Sequence, residues 1–295
     1  MPLTQSALLS AQDYVLIEQL QLASQKRTVG LMTGEQRSTA QGGGIEFSDY
    51  REYLPGDDVR RVDWPVYLRF RKLLVRLCAE EKEQTLMVIL DTSVSMFYGN
   101  VEKAHYAKRI SGLLAGIALA AGNRVGLLSL GPNLKELLPP QRSRVSLPKV
   151  LRILQDVVPE RDIDAPLCIR QFASRYGRRS MEVFISDLLF EEWHQCVTGL
   201  GASGSESSLI QVLAEAELHP EAEGDVNYLD MESAAEVPLH VDSAMLTAYE
   251  RELNEYLAQV RKKCHAQGIG HTLISSETSL GHAFHDELRR GGLVC

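Results

Sequence analysis

The chain has 295 residues, a net charge of −8 and a hydrophobic share of 44%, enough to bury roughly three quarters of its unfolded surface without staples, as one large domain plus an appendage or as two domains. Its acidic balance argues against nucleic acid as the main partner. Five scattered cysteines (Cys78, Cys168, Cys196, Cys264 and Cys295) with no C-x-x-C pair argue against a disulfide framework or a zinc site, and for a reducing compartment.

The opening "MPLTQSALLSAQDYVLIEQL" carries Asp13 and Glu18 and lacks a basic leader, so it does not read as a signal peptide. A first helix is expected over about Ala7 to Ala23, with Leu9, Leu16, Leu20 and Ala23 near helical spacing. From Gly30 to Asp63 the texture turns to glycine, charge and turn residues; Pro55-Gly56 marks a turn, and Asp57-Asp58 could cap a short helix behind it. "YLRFRKLLVRL" then alternates apolar with basic residues, the period of a half-buried strand.

Past residue 84 the rhythm becomes regular. "TLMVIL", "RVGLLSL", "MEVFIS", "SLIQVLA" and "GHTLIS" read as strands, and Val101–Ala121, Ser146–Val157, Leu167–Tyr176 and Ser243–Ala266 as helices between most of them. Strands separated by helical stretches predict a doubly wound, mostly parallel α/β sheet covered on both faces. "GLGASGSESS" (Gly199–Ser208) reads as a flexible loop within it. The expected organisation is residues 1–83 as a smaller irregular or β region and residues 84–295 as the α/β domain. The longest apolar helix candidate, "ISGLLAGIALAAG", is too short to span a bilayer; a soluble, cytoplasmic protein is expected.

In such sheets ligands bind outside the carboxyl ends of the strands, where the strand order reverses. Asp91 ends the first sheet strand in "LMVILDTSVSMFYGN", and Asp187 ends another in "MEVFISDLLF". The D-x-S-x-S pattern of Asp91, Ser93 and Ser95 suits a hard cation: Mg²⁺ takes six oxygens at about 2.0–2.1 Å and keeps several waters. One carboxylate and two neutral hydroxyls leave the ion able to accept a further carboxylate, and Asp187 could hold coordinated waters from behind. The competing reading of such residues is helix capping, a metal-free scaffold. A Mg²⁺-dependent phosphohydrolase with Asp91 as nucleophile is an alternative, but such enzymes typically need a second carboxylate two residues on, where Ser93 stands.

"DTSVSM", followed by "FISD", resembles the metal-ion-dependent adhesion site of von Willebrand factor A domains. "GIEFSDYREYLPGDDVRRVDWPVYLRFRKLLVR", with "LAEAELHP" and "YERELNEYLAQVRKKCHAQGIGHTLI" behind it, is similar to the bacterial domain-of-unknown-function family 58, in which such a block precedes an A-type domain. The resemblance implies a non-catalytic, divalent-metal-binding interaction module. Its ion would be Mg²⁺ (or Mn²⁺ or Ca²⁺), and its partner a MoxR-type AAA+ ATPase in a chaperone-like or complex-maturation system. Carried over, Asp91, Ser93 and Ser95 match the first metal loop and Asp187 the last metal-site acid. The threonine that completes related sites falls here on Arg161 or Asp162, neither a hydroxyl. If Asp162 faces the ion, an incoming acid is less favoured; if Arg161 does, cation binding itself is opposed.

Asp57, Asp58, Arg60 and Asp63 in "LPGDDVRRVDW" read either as a docking element for the ATPase or the A-type domain, or as a surface turn whose charges satisfy one another. Trp64 is expected as a packing anchor, and Arg69, Arg71 and Arg76 as a solvated strand face. Gly42–Gly44 lacks the G-K-[ST] of a phosphate loop, and His282 with His285 lacks the acid of a zinc helix. Gly112 and Gly116, one helical turn apart, are expected to let their helix lie close on the sheet.

Overall fold

A computed structural model describes residues 8–23, 46–79, 84–99, 102–140, 146–177, 180–220, 224–229 and 236–295. The expectations for Gly42–Gly44 and for the side chain of Arg76 lie outside the described residues. The chain divides into two compact units, residues 26–83 and the remainder.

The smaller unit is an antiparallel pair, β1 (Glu46–Glu52) and β2 (Leu74–Ala79), with a short helix between the strands in sequence. Here the expectation of a strand over "YLRFRKLLVRL" fails in its first half. Trp64–Phe70 is a helix, α2, and the strand begins only at Leu74. Asp63 caps that helix through Val66 N–H, Pro65 sits in its first turn, and Arg71 ends it in the left-handed region at φ 54°. A capping aspartate followed by proline sets a helix start more strongly than a short alternation sets a strand.

The larger unit begins with α1 (Ala11–Gln19), whose capping box pairs Ser10 with Asp13. The elements that follow are β3 (Thr85–Leu90), α3 (Lys103–Ala120), β4 (Arg124–Ser129), β5 (Lys135–Leu138), α4 (Leu147–Gln155), α5 (Ala165–Tyr176), β6 (Ser180–Ser186), α6 (Trp193–Ala202) and β7 (Glu206–Leu213). Then come α7 (Glu215–Leu218), a hairpin of β8 (Gly224–Leu229) and β9 (Glu236–Val241), α8 (Ser243–Ala266), β10 (Gly270–Ser275), and α9 (Leu280–His282), which runs into a π-helical turn at Ala283–Leu288.

Among the described residues the main sheet has the order β10-β7-β6-β3-β4-β5, parallel throughout except for β5. Its central strands are apolar runs because both faces are covered. Leu86, Val88 and Leu90 join one core with α1, α3 and α4, while Met87 and Ile89 join a second with α5, α6 and α8. "GLGASGSESS" is not one flexible loop: α6 extends to Ala202 and β7 starts at Glu206.

The N-terminal helix packs on this chain. Leu16 and Ile17 are buried, and Arg109 on α3 makes a 2.8 Å ion pair with Asp13. Residues 21–23 pair with residues 293–295 through Gln21, Ala23 and Cys295 backbone bonds. This also corrects the expected role of Gly112 and Gly116. Their bare faces meet Leu151 of α4 and Ile17 of α1, not the sheet. A Cβ on Gly116 would lie 2.5 Å from Ile17 Cδ1 and 3.0 Å from its Cγ1. Gly116→Val is therefore expected to cost about 1–3 kcal/mol in urea unfolding despite removing a helical glycine. Combined with Ile17→Ala it should cost less than the sum of the two, which is the signature of direct contact.

Candidate functional site

From β3 the chain moves to β4 on one side and later to β6 on the other, so the strand order reverses at the carboxyl ends of β3 and β6. Asp91 follows β3 and Ser186-Asp187 closes β6, which puts both expected acids at the crevice where such sheets bind ligands. All three side chains are buried.

Among the described residues Asp91 is held by neutral donors. Its Oδ2 accepts from Ser186 Oγ at 2.6 Å and its Oδ1 from Ser93 N–H at 2.9 Å, while its own N–H donates to Ile185 O. Burial first, and the neighbouring Asp187 second, push its carboxyl up to about 6. Ser93 Oγ and Ser95 Oγ lie 3.0 Å apart on the short 3₁₀ turn Val94–Phe97 and its cap. Adjacent ligands of an octahedral Mg²⁺ lie roughly 2.8–3.0 Å apart, given bonds of about 2.0–2.1 Å. Ser93 and Ser95 share a hydrogen bond at this separation, and among the described residues Asp91 pairs with no cation, so the carboxylate and the two hydroxyls form a donor set that a hard divalent ion can take in place of that bond. Among the described residues no cluster of three or more His, Cys, Asp or Glu is arranged to hold a metal, so a cation site here rests on serine hydroxyls and one acid.

Asp187 has partners of its own. Its Oδ2 accepts from Lys103 Nζ at 2.8 Å and its Oδ1 from Leu189 N–H at 3.1 Å. Lys103 also reaches Glu217 Oε1 at 2.6 Å. Burial alone would depress the lysine, but Asp187 and Glu217 more than reverse this and hold it above its ordinary value. Gln211 Nε2 donates to the Asp187 carbonyl, and Leu188 next to it is non-glycine backbone at φ 57°, a conformation that costs free energy and concentrates at functional sites. Sequence reasoning did not single out Lys103, Ser186 or Glu217. Only the strand-end position of Ser186 carried a signal.

The loop expected to complete the site runs alongside it at Glu160, whose backbone bridges to Ser93 and donates to Thr92 O at 2.7 Å. The carboxylate of Glu160 is paired with Lys135. Arg161 and Asp162 are exposed, the latter at φ 56°.

In the smaller unit, three of the four residues proposed for docking have local partners. Asp57 makes a two-pronged pair with Arg51 (2.6 and 2.7 Å), which, with Leu54 N–H, holds its carboxyl well below the usual range. Asp58 caps a 3₁₀ turn through Arg60 N–H, and buried Asp63 accepts from Tyr50 Oη at 2.7 Å as well as capping α2. Arg60 is exposed. Trp64 is 52% exposed with its ring edge-on to Tyr67, so it does not anchor a core, and Leu68 and Phe70 on the same helix are more exposed still. Arg69 and Arg71 sit at the end of α2 rather than on a strand face, with Arg71 over the Tyr67 ring.

The family described as "Protein of unknown function DUF58" matches residues 49–259, and the chain belongs to it. An uncharacterized protein of Mycobacterium tuberculosis is 27% identical over 266 residues, which is 88% of this chain and 83% of the relative. Among solved structures the chain is similar to the conserved hypothetical protein BatB from Bacteroides thetaiotaomicron, with TM-score 0.46 and 13% identity over 70% of this chain and 98% of that one. It is also similar to a von Willebrand factor type A protein from Catenulispora acidiphila, with TM-score 0.41 and 10% identity over 74% of this chain and 43% of that one. No described helix is long and apolar enough to cross a membrane.

Proposed function

We propose that the chain is a non-catalytic interaction module. In this reading Asp91, Ser93 and Ser95 hold Mg²⁺, for which Mn²⁺ or Ca²⁺ can substitute, with Asp187 in the layer behind them. The observation that carries it is Asp91: a buried carboxylate at the switch point, with no cationic partner among the described residues, beside two hydroxyls whose 3.0 Å separation also suits adjacent ligands of an octahedral ion. Ser186 and Ser93 N–H orient that carboxylate, and the β3 end holds the hydroxyls. A bound divalent ion supplies an electrophilic position for a partner's carboxylate. The wall beside the site is tied to it by Tyr249 and Tyr256 of α8, which donate to the carbonyls of Glu217 and Leu188. The partner we propose is an AAA+ ATPase of the MoxR type, in a chaperone-like or complex-maturation system. The support is the resemblance of the 44–76 block to the domain-of-unknown-function family 58, in which such an ATPase is the expected partner, with Arg60, Trp64, Leu68 and Phe70 among its exposed groups and Asp57, Asp58 and Asp63 shaping the turn that presents them.

The test is affinity capture with tagged protein in Mg²⁺, in chelator, and as folded Asp91→Ala. An AAA+ ATPase held only with metal and intact Asp91 supports the proposal. The same ATPase held in all three conditions makes the chain a metal-free scaffold. Asp91-dependent turnover of a phosphate ester with Mg²⁺ would instead establish the alternative, a phosphohydrolase with Asp91 as nucleophile.

A further inference from the structure

A fully buried lysine needs a reason, since a buried ion pair is weak evidence for stability. Lys103 opens α3 with its side chain 0% exposed, held between Asp187 (1%) and Glu217 (16%). Both acids are fixed independently of it. Asp187 follows β6 directly, and Glu217 uses Oε2 to cap Ala214 N–H at 2.8 Å. Lys103 thus joins the three connections that leave β3, β6 and β7 at the rim of the crevice.

The charges decide what this does. Asp187, Glu217 and Lys103 sum to −1, and ionised Asp91 brings the pocket to −2, the charge one divalent ion neutralises. Without the lysine the same acids would present −3, and Asp187 Oδ2 would be free to turn to the ion.

We infer that Lys103 is a resident cation that sets the cation affinity of the Asp91–Ser93–Ser95 cradle, by neutralising Asp187 and keeping it off the ion. The inference rests on the metal-binding reading above and adds its regulation. The ion is held by one carboxylate instead of two, so binding is weak and exchangeable, and a carboxylate from the partner is needed to complete it. Metal retention and partner capture become one linked event.

The test is titration of the purified full chain with Mn²⁺, with free Mn²⁺ read by electron paramagnetic resonance at fixed ionic strength. Four proteins are compared: wild type, Lys103→Arg, Lys103→Gln, and the double variant Lys103→Met with Glu217→Gln. Glutamine replaces the ammonium with an uncharged amide donor and guards against loss of folding in the double variant, which leaves buried Asp187 without its partner. Lys103→Gln, which takes the pocket from −2 to −3, and the double variant, which keeps it at −2 but frees Asp187 Oδ2 for the ion, are both expected to bind Mn²⁺ at least about tenfold more tightly than wild type, while the arginine variant stays near wild type. Tightening is not what structural damage produces. Unchanged or weaker binding by the folded uncharged variants overturns the inference, and if wild type still binds, the metal-binding reading survives it. Binding by those variants but not by wild type upholds the inference and sinks the reading for the native chain. No binding by any of the four overturns both.

Discussion

Asp91→Asn should stabilise the metal-free protein. In chelator at pH 8 the expected gain is about 2–3 kcal/mol in urea unfolding, because the substitution removes a buried charge that only neutral donors offset. Asparagine fits the pocket: its oxygen can face Ser93 N–H, and its amide can donate to Ser186 Oγ, a hydroxyl able to accept as well as donate. The pH dependence follows from the direction of the shift. The folded chain takes up the Asp91 proton at about 6, above the 3.8 of an ordinary aspartate. That difference favours folding fully below pH 4 and is lost as the pH rises through 6. Wild type and variant should therefore converge near pH 4, separate between 4 and 6, and differ by a constant amount above. Added Mg²⁺ should stabilise wild type and leave the variant where it was. An Asp91→Asn protein less stable than wild type at every pH would mean that the carboxylate already has a counterion, and the case for a cation site would fall.

A group that weakens its own fold marks a position kept for something other than stability, and the sequence exposes it because its signals are local. Five apolar residues running into Asp91 demand a buried strand with an acid at its end, and the β/α rhythm after residue 84 demands a parallel sheet with that end on the ligand side. What stayed hidden depends on contacts between distant residues. Lys103 lies 84 positions from Asp187 and 114 from Glu217, and a lysine at a helix start looks like any solvated charge. Gly112 and Gly116 had the right meaning, close approach, but the neighbours they admit are α4 and α1, and the sequence does not say whether α1 packs on this chain or on another. The strand expected over "YLRFRKLLVRL" is a different failure, because the Asp63 cap and Pro65 were legible and outweigh the alternation. The hairpin of β8 and β9 is different again: Val237, Leu239 and Val241 do alternate along β9, but Pro238 between them argues against a strand and only Val241 of that strand is buried.

Lys103→Met, by itself, should be the most damaging single change at the site. Removing one partner of a buried ion pair leaves uncompensated charge, a loss of about 3–5 kcal/mol, and here two acids lose their partner together. Glu217 can recover some hydration, since 16% of its side chain is exposed, whereas Asp187 at 1% cannot. The ordering of variants follows: Lys103→Met with Glu217→Gln should be nearly as unstable as Lys103→Met, while Lys103→Met with Asp187→Asn should regain most of the loss. Urea midpoints in chelator measure this order, and the reverse order would place the buried cost on Glu217. Mg²⁺ separates a structural lysine from a resident cation. If Asp187 turns to the cradle once the ammonium is gone, saturating Mg²⁺ should restore more stability to Lys103→Met than it gives wild type, by mass action on the folded state alone. A lysine that only tied three loops together would leave the Mg²⁺ increment equal in the two proteins. That equality would return Lys103 to the role of a clamp and leave Asp91, Ser93 and Ser95 to bind, or fail to bind, on their own.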